Sequence, residues 1–95
     1  MTTFIMTGKY SAEAVKQISG ARTVKGTKIV KQCGGKITAV YATMGKADLL
    51  LITEFPGVGE AMKASVALNQ AMGISFTTIP ALPIADFDKL VGGKL

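Results

Sequence analysis

The 95 residues carry eleven Lys and Arg against six Asp and Glu, a net charge of +5, with no histidine, one cysteine and 48% hydrophobic residues. That length supports one domain with a modest core; the lone Cys33 excludes an internal disulfide and the lack of histidine removes the commonest general base and metal ligand. The apolar share exceeds what so small an interior can hide, and surplus apolar surface marks an interface or a ligand groove, so oligomerisation is the first expectation.

In chain order, residues 3–9, TFIMTGK, read as a strand. Ser11 is a good N-cap and Glu13 suits a first turn, so a helix is expected over 11–19, SAEAVKQIS, with Val15 and Ile18 on one side. Gly20 and Gly26 weaken any continuation of that helix. The segment 21–33 therefore reads as a second helical piece or a kinked continuation, with Ile29, Val30 and Cys33 toward the core and Gly34–Gly35 as its stop. KITAVYAT, 36–43, and LLLITEF, 49–55, are strands joined by a short turn, hence antiparallel neighbours. Gly45 supplies a positive φ at low cost in that turn, and Asp48 accepts backbone N–H bonds where the third strand begins. Residues 58–72 form the clearest helix, with Ala61, Ala64, Ser65, Leu68, Ala71 and Met72 at helical spacing, and Gly73 ends it. ISFTTIP, 74–80, is a fourth strand. A short helix over 85–91 puts Phe87, Leu90 and Val91 on one side and exposes Asp86, Asp88 and Lys89. No repeat or linker divides the chain, so 1–95 reads as one domain, with 83–95 a C-terminal extension.

Strand, helix, strand, strand, helix, strand is the split βαβ, ferredoxin-like order. It predicts an α+β fold: a four-stranded antiparallel sheet with both helices on one face and the other face bare. Side-chain alternation sorts the strands. Phe4, Met6 and Gly8, then Leu49, Leu51, Thr53 and Phe55, then Ile74, Phe76 and Thr78 face the helices. Ile5, Thr7 and Lys9, then Leu50, Ile52 and Glu54, then Ser75, Thr77 and Ile79 form the bare face, apolar residues mixed with polar ones. Such a face suits packing on a second sheet with a polar pocket between them. Thr7, Lys9, Tyr41, Glu54 and Thr77 are the pocket candidates. Tyr41 joins the Leu50 face if Thr43 pairs with Asp48, and the Leu51 face if Thr43 pairs with Leu49. Glu54 and Lys9 share a parity class, so an ion pair is open to them. Because they sit at far ends of neighbouring strands, a cationic or hydroxyl partner for Glu54 is expected across a subunit interface or in the pocket beside it, not within its own chain.

Other features point to bland roles. Arg22, Lys25, Lys28 and Lys31 recur every three residues, which on a helix spirals over half the circumference and makes no stripe for nucleic acid. GVGEAMK, 57–63, lacks the third glycine of a dinucleotide loop and the Gly-Lys-Ser/Thr of a Walker loop, and Glu60 repels an anion. Cys33 lacks a Cys-x-x-Cys partner, so no metal site is expected. The uncharged stretch 64–85 is broken by Asn69, Gln70, Gly73, Pro80 and Pro83, and residues 1–10 lack the basic start of a signal peptide. A cytoplasmic protein with no membrane span is the expectation.

The chain resembles the GYD-domain family, small ferredoxin-like proteins of the dimeric α/β-barrel group. The likeness rests on GKYSAEAVK after the first strand, CGGKITAVYATMG leading into the turn, Ala47–Asp48, TEFP at 53–56 and FTTIPAL at 76–82. The family takes its name from a Gly-x-Tyr-Asp turn. Gly45 and Asp48 match it, while Ala47 stands where tyrosine is expected. The resemblance implies the fold and assembly with a second copy, without implying a reaction. It leads to a homo-oligomeric module for small-ligand binding or assembly, without cofactor. The alternative is a cofactor-independent enzyme of oxygenase or isomerase type, similar to other dimeric α/β-barrel proteins, acting on a small apolar substrate at the sheet face. Glu54 with Lys9, and Tyr41 and Thr7 beside them, is the one constellation suited to acid/base work.

Overall fold

The computed structural model describes residues 1–92. Its elements are β1 (Thr2–Tyr10), α1 (Ala12–Val15), α2 (Gly20–Gln32), β2 (Lys36–Ala42), β3 (Leu49–Phe55), α3 (Val58–Met72), β4 (Ile74–Ala81) and α4 (Ile84–Val91). The strands lie in the order β2-β3-β1-β4, antiparallel throughout. This is the ferredoxin-like split βαββαβ arrangement, with β1 in the centre because the two βαβ halves interleave.

The first helical region differs from expectation. The hydroxyl of Ser11 accepts from Ala14 N at 3.0 Å, but the helix it starts lasts one turn. A second serine, Ser19, accepts from Arg22 N at 3.2 Å and begins α2 as a separate helix. Two N-caps eight residues apart compete for the same stretch, and the second starts the longer element. Val15 and Ile18, expected on one side of a single helix, fall at the end of α1 and in the connection after it, and both are exposed. Gly20 sits in the first turn of α2, where a glycine costs little, and Gly26 is held within the helix. The glycine stop is as expected: Gly34 N donates to Lys31 O and Gly35 N to Val30 O, both at 3.0 Å, the paired bonds of a Schellman end.

The core lies between the sheet and α2 with α3. Phe4, Met6, Leu51, Phe55 and Ile74 enter it from the strands, Val30 and Cys33 from α2, and Ala61, Ala64, Leu68 and Met72 from α3. Phe4 and Phe55 meet edge to face, ring centroids 5.9 Å apart, a geometry that adds to their burial. The fully buried Thr53 satisfies its hydroxyl by donating to Phe4 O at 3.0 Å. Gly35 is held at glycine by proximity: a Cβ there would run into the Phe55 ring and come within 2.9 Å of Glu54 O. Ala71, expected on the buried stripe of α3, is exposed. Half-buried Ala67 packs against the core in its place.

Among the described residues, α4 buries none of its own. Ile84, Phe87, Leu90 and Val91 are all exposed. The chain measures 52 × 29 × 18 Å with a radius of gyration of 14.5 Å. A compact domain of this length has about 12 Å, so the protomer is drawn out, with an uncovered helix at one end. No helix among the described residues is long and apolar enough to cross a membrane.

Candidate functional site

The bare face is built in rows that cross the strands. The register aligns Lys36, Glu54, Thr3 and Ala81 in one row and Ala39, Ile52, Ile5 and Ile79 in the next. Then come Tyr41, Leu50, Thr7 and Thr77, with Lys9 and Ser75 beyond them. One row is therefore wholly apolar, and charge is confined to the two ends. Ile5, Leu50 and Ile52 are half-buried, while Tyr41 and Ile79 are 59% and 51% exposed. Those two side chains, on the edge strands β2 and β4, are open to solvent.

Tyr41 reaches this face through a local irregularity. The β2–β3 register shifts between Ile37 and Ala39, and the Thr38 hydroxyl donates to Ile52 O at 3.0 Å. The extra residue reverses the parity of the rest of β2. Tyr41 then faces Leu50, and Thr43 N donates to Asp48 O at 2.9 Å, the first of the two registers open to the sequence.

The five candidates do not converge. Thr7, Lys9 and Thr77 border one shallow depression of about 370 Å³ with Lys46 and Ser75. Tyr41 is in the row of Thr7 and Thr77 but two strands away from Thr7. Glu54 is opposite Thr3, six residues along β1 from Lys9, or about 20 Å. The Lys9–Glu54 pair that parity permits is thus absent within the chain: Lys9 instead lies 3.6 Å from Asp48. Among the described residues Glu54 makes no salt bridge, even with Lys36 opposite it.

Asp48 holds the turn together. Its Oδ2 accepts from Tyr10 N at 2.9 Å, its own N–H donates to Gly8 O at 2.8 Å, and its carbonyl accepts from Thr43. The N–H that its side chain captures belongs to the end of β1, not to the start of β3 as expected. Gly45 has φ +107° with nothing near its missing side chain, so its constraint is purely conformational. Gly45→Val should therefore cost about 1 kcal/mol or more. Lys46→Ala, at the exposed neighbour, should stay within about 0.5 kcal/mol. Paired urea melts separate the two, and equal midpoints would show that the turn tolerates any residue. Ala47 serves through its backbone, its carbonyl accepting from the Thr43 hydroxyl at 2.8 Å, so this turn closes without a tyrosine ring.

On the opposite side of the sheet is a cavity of about 80 Å³, roofed by the first half of α2. Its floor includes Val40, Leu49 and Phe76, and Leu68 and Met72 of α3 form one wall. It exists because α2 presents Ser19, Thr23, Gly26 and Thr27 to the sheet there. One turn later Val30 and Cys33 fill the equivalent space. Sequence reasoning from the apolar positions of α2 misses this space. The signal is the i, i+4, i+7, i+8 run of small and hydroxyl residues, on a helix side that should be packed.

Four antiparallel strands with helices on one side, a bare apolar band on the other and a Gly-x-x-Asp turn pinning β1 define a small ferredoxin-like α+β domain. A family model described as the GYD domain matches residues 4–91, nearly the whole chain, and the protein belongs to that family. No curated protein and no solved structure matches it.

Proposed function

We propose that the protein is a homo-oligomeric assembly module whose subunits pack through the bare face of the sheet. The observation that carries this reading is the apolar row Ala39, Ile52, Ile5 and Ile79, which spans all four strands with nothing over it. Sheets packed face to face lie about 10 Å apart, so the long side chains of two such faces would interdigitate. Four strands and four rows cover roughly 500 Å² per chain. Two copies then bury roughly 1,000 Å², the lower limit for a stable interface. Sedimentation velocity at micromolar concentration should give at least a dimer, and a monomer would overturn the reading.

Glu54 belongs to this proposal. A twofold axis lying along the rows carries the Glu54 end of one sheet over the Lys9 end of the other, where a carboxylate and an ammonium would meet. A carboxylate buried without such a partner costs several kcal/mol. Glu54→Ala should thus weaken association about tenfold while leaving the urea midpoint of the separated chain unchanged. Unaltered association would make Glu54 a solvated strand end. The geometry of the single chain lends the enzyme reading no support, because within it Glu54, Lys9 and Tyr41 are dispersed over the face.

A further inference from the structure

We propose that the cavity beneath α2 binds a small amphiphile with a short aliphatic body and an anionic head, the head meeting Arg22. This goes beyond the assembly reading and does not depend on it, because cavity and bare face lie on opposite sides of the sheet.

The body of the ligand is set by the walls. Val40, Leu49, Phe76 and Met72 are apolar. The hydroxyls of Thr23 and Thr27, which also border the space, donate to Ser19 O at 3.4 Å and Thr23 O at 3.0 Å within α2. Their protons are therefore spent on the helix, and those walls offer methyl groups to an occupant. A cavity of about 150 Å³ lined by Leu, Ile and Phe takes up benzene. At about 80 Å³ this one is too small for a ring and takes only the end of a chain, the rest of which lies in the open mouth of the pocket.

The head is set by Arg22. Arg22 borders the cavity, and its guanidinium donates to Met72 O at 2.6 Å and to Gln17 Oε1 at 3.1 Å. Neither acceptor carries a formal charge, although Met72 O ends α3 and the dipole of that helix favours a cation there; among the described residues Arg22 forms no salt bridge. A half-buried cation fixed by two oxygens without formal charge keeps its charge for an anion, and its planar fork has further donors to offer. An acid with a short chain would fill the apolar space and neutralise that charge at once.

The test uses the full chain, with hexanoate and hexan-1-ol as probes and amide chemical shifts as the readout. Hexanoate should bind saturably with Kd below about 1 mM, shifting Thr23, Gly26, Val40 and Leu49. Arg22→Gln should weaken hexanoate about tenfold and leave hexan-1-ol unchanged, whereas Arg22→Lys should keep most of the hexanoate affinity. Gly26→Leu, whose side chain would occupy the space, should abolish binding of both. If that variant fails to fold in a urea melt, Thr27→Leu at an exposed position does the same. Absence of saturable binding would overturn the proposal. So would shifts confined to Ile5, Ile52 and Ile79 on the bare face, or equal loss of both probes in Arg22→Gln. The oligomeric state should be the same with and without hexanoate, so failure here and failure of the assembly reading are told apart.

Discussion

Ile52→Asp is expected to yield a folded monomer. Ile52 lies in the apolar row of the bare face, flanked across the strands by Ala39 and Ile5. It points away from Phe4, Leu51 and Phe55, which fill the core on the other side. In the isolated chain its side chain is only half-buried. An aspartate there keeps access to water, and the fold loses little. In a face-to-face dimer the same carboxylate would be shut between two sheets, and the twofold would place two of them there. Each unpaired buried charge costs several kcal/mol, so association should weaken by at least about a hundredfold. Sedimentation velocity, together with a urea melt of the variant, measures both halves of the expectation. A variant that stays dimeric would move the interface off the sheet. One that unfolds would mean that Ile52 supports the chain itself, and Ile79→Asp, at a 51% exposed position of the same row, would then serve in its place.

The sequence carries the fold because its strong signals are local and agree with one another. LLLITEF between two turns, and Ala61, Ala64, Leu68 and Met72 at helical spacing, mark β3 and α3 at their observed bounds. Parity along each strand sorts the core face from the bare one, since a strand cannot place one residue inward without placing the next outward. Alternation does not supply register. The side taken by Tyr41 depends on the shift at Thr38, and a bulge at a threonine leaves no distinct pattern in a strand of otherwise ordinary composition. The break between α1 and α2 is hidden for a related reason. Ser19 reads equally well as a late helix residue and as a fresh N-cap, and only the bond it makes to Arg22 N decides.

The candidate site is less legible than the fold. Parity puts Lys9 and Glu54 on one face, and the expected antiparallel order sets them at far ends of neighbouring strands without giving the distance. That distance comes from the pairing of Thr3 with Glu54 and of Lys9 with Ser75. Lys9 also has a nearer acid in Asp48, whose place in the sequence speaks only for the turn. The cavity under α2 is invisible because it is made by what is missing. Thr23, Gly26 and Thr27 read as ordinary helix residues until their side is found against the sheet. Threonines whose hydroxyls return to their own helix can line such a space without leaving an unsatisfied polar group.

Asp48→Ala is expected to destabilise the chain by about 2 kcal/mol, more than any other change in the turn. The carboxylate accepts the Tyr10 N–H at 2.9 Å, a charge-assisted bond at the point where β1 ends and the chain turns toward α1. Alanine leaves that part-buried N–H without its acceptor. The ion pair with Lys9 is a lesser part of the effect, since the Lys9 side chain is 60% exposed and its 3.6 Å contact is screened by solvent. Lys9→Ala should accordingly change stability by less than about 0.5 kcal/mol. Asp48→Asn keeps an acceptor oxygen for Tyr10 but loses the charge, and should fall between the two. The order alanine, asparagine, then Lys9→Ala, read from urea melts, arises only if the carboxylate works as an acceptor for the backbone. Hydrogen exchange at the Tyr10 amide gives the local readout: protection should drop in Asp48→Ala and persist in Lys9→Ala. If Asp48→Ala is as stable as the wild type and Tyr10 remains protected, the aspartate of the turn is free of structural duty, and its carboxylate, beside Lys9, becomes the group to test for ligand contact.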